Sequence, residues 1–391
     1  MYGSTEVPLT PMMDTGLEKV LREVVAPLAD EVDRTGRFPR EGVGALSEAG
    51  LLGLLSSRDS GGLGGGLRDA AGVVEQLAGV CGSTAMVLLM HYAAVTVINQ
   101  HGPKDVRRAV AEGQHLSTLA LSEKGSRSHF WAPVGTAMPQ DTATVRLDAE
   151  KSWITSAGEA DSYVWSSRPL EGDGTMSLWL VPADSAGLQV RGDYDGFGLR
   201  GNASSPVTAK AVSVPRTALL GADGDGLDTA LTVVLPCFLV LNAAFSLGVT
   251  EAQLQLAARH LCHVRLAHVG QSLAEQTLPR HQYARLRLQA DAVRSFLKDT
   301  LTALATGHAD AQVRVLQVKA LAAETAAEVA DGVMRLCGGT AFQRELGVER
   351  RFRDALAARV MAPTTDALHD FCGRAHLGLP LFDQEAPADG R

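Results

Sequence analysis

The sequence predicts an α+β protein in three consecutive blocks: an N-terminal α-helical domain (1–115), a central antiparallel β-domain (116–222) and a C-terminal α-helical bundle of the four-helix type (223–391). Three observations predict it. Apolar residues recur at helical spacing in the first block, as in Leu17, Val20, Leu21, Val24, Val25 and Leu28. Short runs alternating apolar and polar residues, with turn residues every eight to twelve positions, fill the second. Long amphipathic stretches return in the third.

In the first block, the glycine-rich SSRDSGGLGGGLRDA reads as a loop with Leu67 opening the next helix. It is a poor phosphate cradle, because no strand closely precedes it and no Lys-Ser or Lys-Thr follows. GVVEQLAGVCGSTAMVLLMHYAAVTVINQHG then reads as a pair of buried helices. In the second block TATVRLDAEKSWI, SYVWSSR, SLWLVPADS and PVTAKAVSVP are strands, too short and too closely turned for parallel β-α-β units. In the third, the stretch from Leu227 to Leu256 reads as one or two core helices rather than a membrane span, interrupted by Pro236, Asn242 and Glu251. Two further amphipathic helices follow, the second ending at Gly338-Gly339, where glycine supplies a left-handed cap.

The 391 residues carry 36 Lys and Arg against 44 Asp and Glu, a net charge of −8. With no basic cluster, this argues against a nucleic-acid partner. Five scattered cysteines and no C-x-x-C pair read as free thiols in a reducing compartment. His260, Cys262, His263 and His268 fit no zinc spacing, so no metal is expected. The N-terminus lacks the pattern of a secretory signal. A cytoplasmic protein without a membrane segment is the expectation.

Four stretches, in this order, resemble the acyl-CoA dehydrogenase superfamily. ALSEKGSRS (120–128) resembles its Thr-Glu-Pro-x-x-Gly-Ser loop, and KSWITSAGEADSYVW (151–165) its Trp-Ile-Thr-Asn strand. GDYDGFGLRGNASSPVTAKAVSVPRTALLG (192–221) is similar to its Gly-x-Arg-x-Ser segment. MRLCGGTAFQRELGVERRFRDALAARVMAPT (334–364) is similar to its Gly-Gly-x-Gly, Glu-Arg and Arg-Asp signatures. The resemblance implies bound FAD, its ring lying between the β-domain and the bundle. It assigns ring contacts to Leu121, Ser122, Glu123, Trp153 and Thr155, with Thr155 near the N5 that receives hydride. Taken alone, Trp153 would read as a strand-face core residue with Thr155 its polar neighbour. Ser128 matches the serine that meets the thioester-bearing arm and also counts among the flavin contacts. Gly338, Gly339, Thr364, Asp366, His281 and Gln282 are assigned to the dinucleotide half, completed by a neighbouring subunit, so a homodimer or homotetramer is implied.

The family's catalytic glutamate aligns on Ala362, which has no carboxylate. The alternative base and arginine positions on an earlier helix align on Cys237 and Phe238, leaving an apolar wall; with Ala362 and Ser128 these are the substrate-binding candidates. His91, Glu251 and Asp366 are the candidate substitute bases, each with a structural role as the competing reading. The resemblance thus implies dehydrogenation of an acyl thioester, on coenzyme A or an acyl carrier protein, by hydride transfer to flavin, with an electron-transfer flavoprotein as partner. The alternative is a flavin-dependent monooxygenase on the same fold, fed by a flavin reductase, with FMN in place of FAD. It would need a dry pocket and hydrogen-bond donors rather than a strong base.

Overall fold

The computed structural model describes residues 11–126 and 129–382. The first block is helical. α1 (Pro11–Val20) continues through a widened turn, Leu21–Val25, into α2 (Ala26–Thr35), followed by α3 (Arg40–Glu48). α4 (Leu67–Val80), α5 (Gly82–His101) and α6 (Lys104–Ala111) complete it. The backbone of Gly66, before α4, donates to Asp69 at 2.8 Å, which ends the glycine-rich loop and starts the helix.

The central block holds two sheets. β1 (Ser117–Ala120), β4 (Ser162–Ser167) and β5 (Ser177–Pro182) form one, in the order β1-β4-β5. β2 (Thr136–Pro139), β3 (Thr144–Ile154), β6 (Leu188–Val190) and β7 (Ser205–Pro215) form the other, in the order β2-β3-β7-β6. Pairing is antiparallel as expected, except that β1 runs parallel to β4. That exception lay beyond local pattern, because a parallel neighbour is chosen by a long connection rather than by a hairpin turn. A separate apolar core that includes Val145, Leu147, Tyr163, Trp165, Trp179 and Val212 draws on both sheets.

The third block opens with α7 (Gly226–Thr229), a widened turn at Ala230–Val234 and α8 (Leu235–His263). A small hairpin, β8 (Arg265–Leu266) and β9 (Gln271–Ser272), leads to α9 (Thr277–Thr306) and α10 (Ala311–Cys337). α11 (Val348–Ala355), α12 (Ala357–Val360) and α13 (Thr365–Leu377) follow. Pro236 does not interrupt the run from 226 to 263. It lies two residues beyond the widened turn, just as Pro27 follows the turn at Leu21–Val25. A proline ring clashes with the carbonyl four residues back and donates no hydrogen bond, and widening the preceding turn accommodates both defects.

α8 is the axis of the molecule. It packs against α4 and α5 of the first block and α9 and α10 of the third, so the two helical blocks share one core. Gly248 marks the closest approach, since a Cβ there would stand 2.0 Å from the carbonyl oxygen of Glu75 on α4. Helices Gly82–His101 and Gly226–His263 are long and apolar enough to cross a membrane, but 89% and 78% of their most apolar windows are buried inside this fold.

Candidate active site

A cavity of about 930 Å³ lies between the β-domain and the C-terminal helices, where the sequence reading expects the ring. Its two walls differ. The β-domain presents small polar side chains, among them Ser122, Thr155, Ser204 and Thr208. The helical side presents Met90, Val234, Leu235, Phe238 and Ala357, with Met361 just beyond α12. Local sequence explains both walls. β3 slips register against β7 between Lys151 and Ile154, and Trp153 takes a left-handed backbone (φ 58°) inside that irregularity. The slip turns Trp153 out of the sheet, so this large aromatic lines the cavity with 72% of its surface exposed. Left-handed conformation is rare for a bulky residue, and such strained backbone is common at binding sites. On the other wall the widened turn before α8 brings Ala230 and Val234 to the cavity.

The loop from Leu121 to Gly125 is set by a buried ion pair. Lys151 Nζ meets Glu123 Oε1 at 2.5 Å, Ser166 O at 2.7 Å and Ser166 Oγ at 2.8 Å. Glu123 Oε2 also accepts from Val134 N at 2.5 Å and Gly135 N at 2.9 Å. Burial pushes the Lys151 amine down to about 8, against the pull of Glu123. The resemblance counts Glu123 among the ring contacts and gives Lys151 no role, whereas the structure ties the two together. The signal was a lysine in an alternating strand two positions before an aromatic.

Leu121, Ser122, Trp153, Thr155, Phe238 and Ala362 all line the cavity. Thr155 Oγ1 and Ser204 Oγ lie 3.3 Å apart. Ser128, with Arg127, lies outside the described residues. Cys237 is a correction: its thiol is buried in the α8 core rather than in the cavity wall, and burial pushes it up to about 12. Thr364 caps α13, its hydroxyl accepting from Ala367 N. His281 and Gln282 on the first turns of α9, and Gly338 and Gly339 after α10, lie away from the cavity. Both glycines and His281 are exposed, and nothing stands within 4 Å of a Cβ built on either glycine.

None of the three candidate bases reaches the cavity. His91 Nδ1 accepts from Ser117 N at 3.1 Å, which leaves its proton on Nε2, 3.1 Å from Leu52 O. Both ring nitrogens are thereby used, and burial pushes the imidazole down to about 4. Its neighbour Met90 is the residue that faces the cavity. Burial works to raise the Glu251 carboxyl, but Arg287, at 2.6 Å to each oxygen, and Arg294, at 2.8 Å, outweigh it and hold it below the ordinary glutamate range. Asp366 is exposed on the first turn of α13, where a negative charge suits a helix N-terminus. The carboxylates among the described lining residues are Glu123, tied to Lys151, and Glu150, 3.2 Å from Lys124.

The cavity suits a flat tricyclic group with one polar edge. It offers an exposed indole, a wall of hydroxyl groups and an opposite apolar face. These are the demands of an isoalloxazine, so the residues present fit a flavin.

Comparison with known proteins agrees in extent and order. Three consecutive segments match the N-terminal (11–113), middle (118–212) and C-terminal (224–377) domains of acyl-CoA dehydrogenase. A cyclohex-1-ene-1-carbonyl-CoA dehydrogenase of Geobacter metallireducens is 27% identical over 361 residues, covering 90% of this chain and 94% of its own. The structure of butyryl-CoA dehydrogenase from Megasphaera elsdenii superposes with a TM-score of 0.88 at 22% identity, over 95% of this chain and 99% of its own. That of a prolyl acyl carrier protein oxidase superposes with a TM-score of 0.85 at 17% identity, over 95% and 100%. The two structural likenesses speak for the fold.

Proposed function

Because this chain belongs to the acyl-CoA dehydrogenase family, we propose that it is a flavin-dependent oxidoreductase that dehydrogenates an acyl thioester, carried by coenzyme A or an acyl carrier protein. The observation that carries this reading is the two-walled cavity, polar and aromatic on the β-domain side and apolar on the helical side. A bound flavin, FAD by resemblance, supplies the two-electron acceptor for a hydride. Trp153 offers a flat face against which to hold the ring, and Ser122 and Thr155 offer hydroxyls to its polar edge. Phe238, Met90 and Leu235 line an apolar slot that excludes water from an acyl chain. The relatives support dehydrogenation over the monooxygenase alternative, and electrons would leave to an electron-transfer flavoprotein. Exposed Leu278, Leu288 and Phe342, close in sequence to His281, Gln282, Gly338 and Gly339, support a homodimer or homotetramer in which a second copy completes the dinucleotide half.

Ala362 gives the substrate no proton acceptor, and both carboxylates among the described cavity-lining residues are held by lysines. The wild-type reaction is therefore expected to be slow with ordinary thioesters. Anaerobic mixing of the flavin-loaded protein with short, medium and long acyl thioesters, on coenzyme A and on carrier protein, tests the reading. Bleaching of the flavin without another reductant is the expected result. Ala362→Glu should raise its rate by about 10²-fold, the scale of a well-placed general base. No bleaching with any thioester in either protein, together with an oxygen adduct when the chemically reduced protein meets air, would transfer the assignment to oxygenation.

A further inference from the structure

We propose that Lys319 is a positioning residue of the cavity, gripping the two carbonyls that flank Ala362 so that residue 362 is presented to the bound acyl group. Lys319 sits on α10 in an otherwise apolar stripe with Val315, Leu316, Ala322 and Ala323, and it is fully buried. Its bonded partners are carbonyls rather than a carboxylate: Nζ donates to Pro363 O at 2.9 Å and to Met361 O at 3.2 Å. Burial pushes the amine down to about 7, with Glu324 pulling the other way. A cationic group taken out of water without an ion-pair partner is unfavourable unless its hydrogen bonds return the difference. Here they converge on one short segment between α12 and α13.

The geometry of that segment gives the grip its meaning. Met361 is extended (φ −71°, ψ 133°), so the chain leaves α12 at this residue. Carbonyls 361 and 363 both turn toward Lys319 while Met361, Ala362 and Pro363 all line the cavity, so the grip fixes the backbone on either side of residue 362. Two further contacts hold the same segment. Met361 N donates to Ala357 O at 3.2 Å, and Asn242 Nδ2 on α8 lies 3.8 Å from Met361 Sδ. The base position thus keeps its support although the carboxylate is gone. The proposal rests on the thioester reading only in naming what residue 362 faces.

Two readouts test it. Lys319→Met keeps the length and removes the donors, and should lower amide protection in peptides spanning 357–368 about tenfold while protection elsewhere is retained. In the Ala362→Glu background, adding Lys319→Met should remove most of the gain in thioester-driven flavin bleaching, since small misplacement of a catalytic group lowers rate by up to about 10²-fold. Unchanged protection in 357–368, or an equal gain with and without Lys319, overturns the positioning role. If Ala362→Glu brings no gain in either background, the thioester reading fails and hydrogen exchange alone decides for or against Lys319. Lys319→Gln, shorter and uncharged, takes the place of Lys319→Met should that variant not fold.

Discussion

At the scale of single residues, Ala362 lines the cavity while the candidate bases His91, Glu251 and Asp366 do not. Ala362 stands where a carboxylate is expected, yet Lys319, Lys151 and Glu123 still brace the walls around it. The Glu123–Lys151 pair is the buried ion pair among these supports, and removing Glu123 leaves the Lys151 amine buried with only Ser166 O and Oγ as partners. Glu123→Leu should therefore destabilise the protein by about 3–5 kcal/mol in denaturant unfolding and empty the site of flavin, because Leu121–Gly125 lines the cavity. Glu123 could be read from sequence, because it sits in a motif. Lys151 and Lys319 could have been suspected only as charges at apolar positions. The choice among His91, Glu251 and Asp366 was not legible, because a side chain's partners come from distant segments: Leu52 and Ser117 for His91, Arg287 and Arg294 for Glu251.

At the scale of elements, periodicity identified the helices and alternation the strands, but neither could give their irregularities. The widened turns before Pro27 and Pro236 and the slip in β3 at Trp153 answer to local strain and to neighbours. These departures matter to the site, since the second widened turn and the slip place Val234 and Trp153 in the cavity wall. The contact of α4 with α8 is equally particular. Gly248→Ala would drive a methyl group into the Glu75 carbonyl, a backbone atom that cannot step aside. The variant should lose about 1–3 kcal/mol or more, read as a lower midpoint in thermal or denaturant unfolding.

At the scale of the whole molecule, α11 ties the blocks together. Arg353 binds Asp33 on α2 through both guanidinium nitrogens, at 2.8 and 2.5 Å, and donates to Phe197 O at 3.1 Å. Arg350 and Arg351 donate to the last carbonyls of α4, Val80 O at 3.0 Å and Gly79 O at 3.2 Å. Asp354 accepts from Leu199 N at 2.7 Å and so holds a residue of the cavity wall. Burial raises the Asp354 carboxyl to about 6 from an ordinary 3.8. The folded state then binds a proton more readily than the unfolded one, so this group's contribution to stability grows as pH falls through 6 toward 3.8 and is lost as pH rises again. Asp354→Asn keeps an acceptor for Leu199 and removes the buried charge. It should exceed the wild type in stability by up to about 3 kcal/mol at pH 8, with the difference shrinking below pH 6, as unfolding at both pH values would measure.

The order helix, strand, helix, the membership in the family and the absence of a glutamate at 362 were all legible in the sequence, because periodicity and motif are properties of neighbouring residues. Which strands pair in parallel, which polar groups are already satisfied, and that the 361–363 segment lines the cavity were decided only by tertiary structure. Each depends on atoms that chain separation hides and packing brings within hydrogen-bond reach.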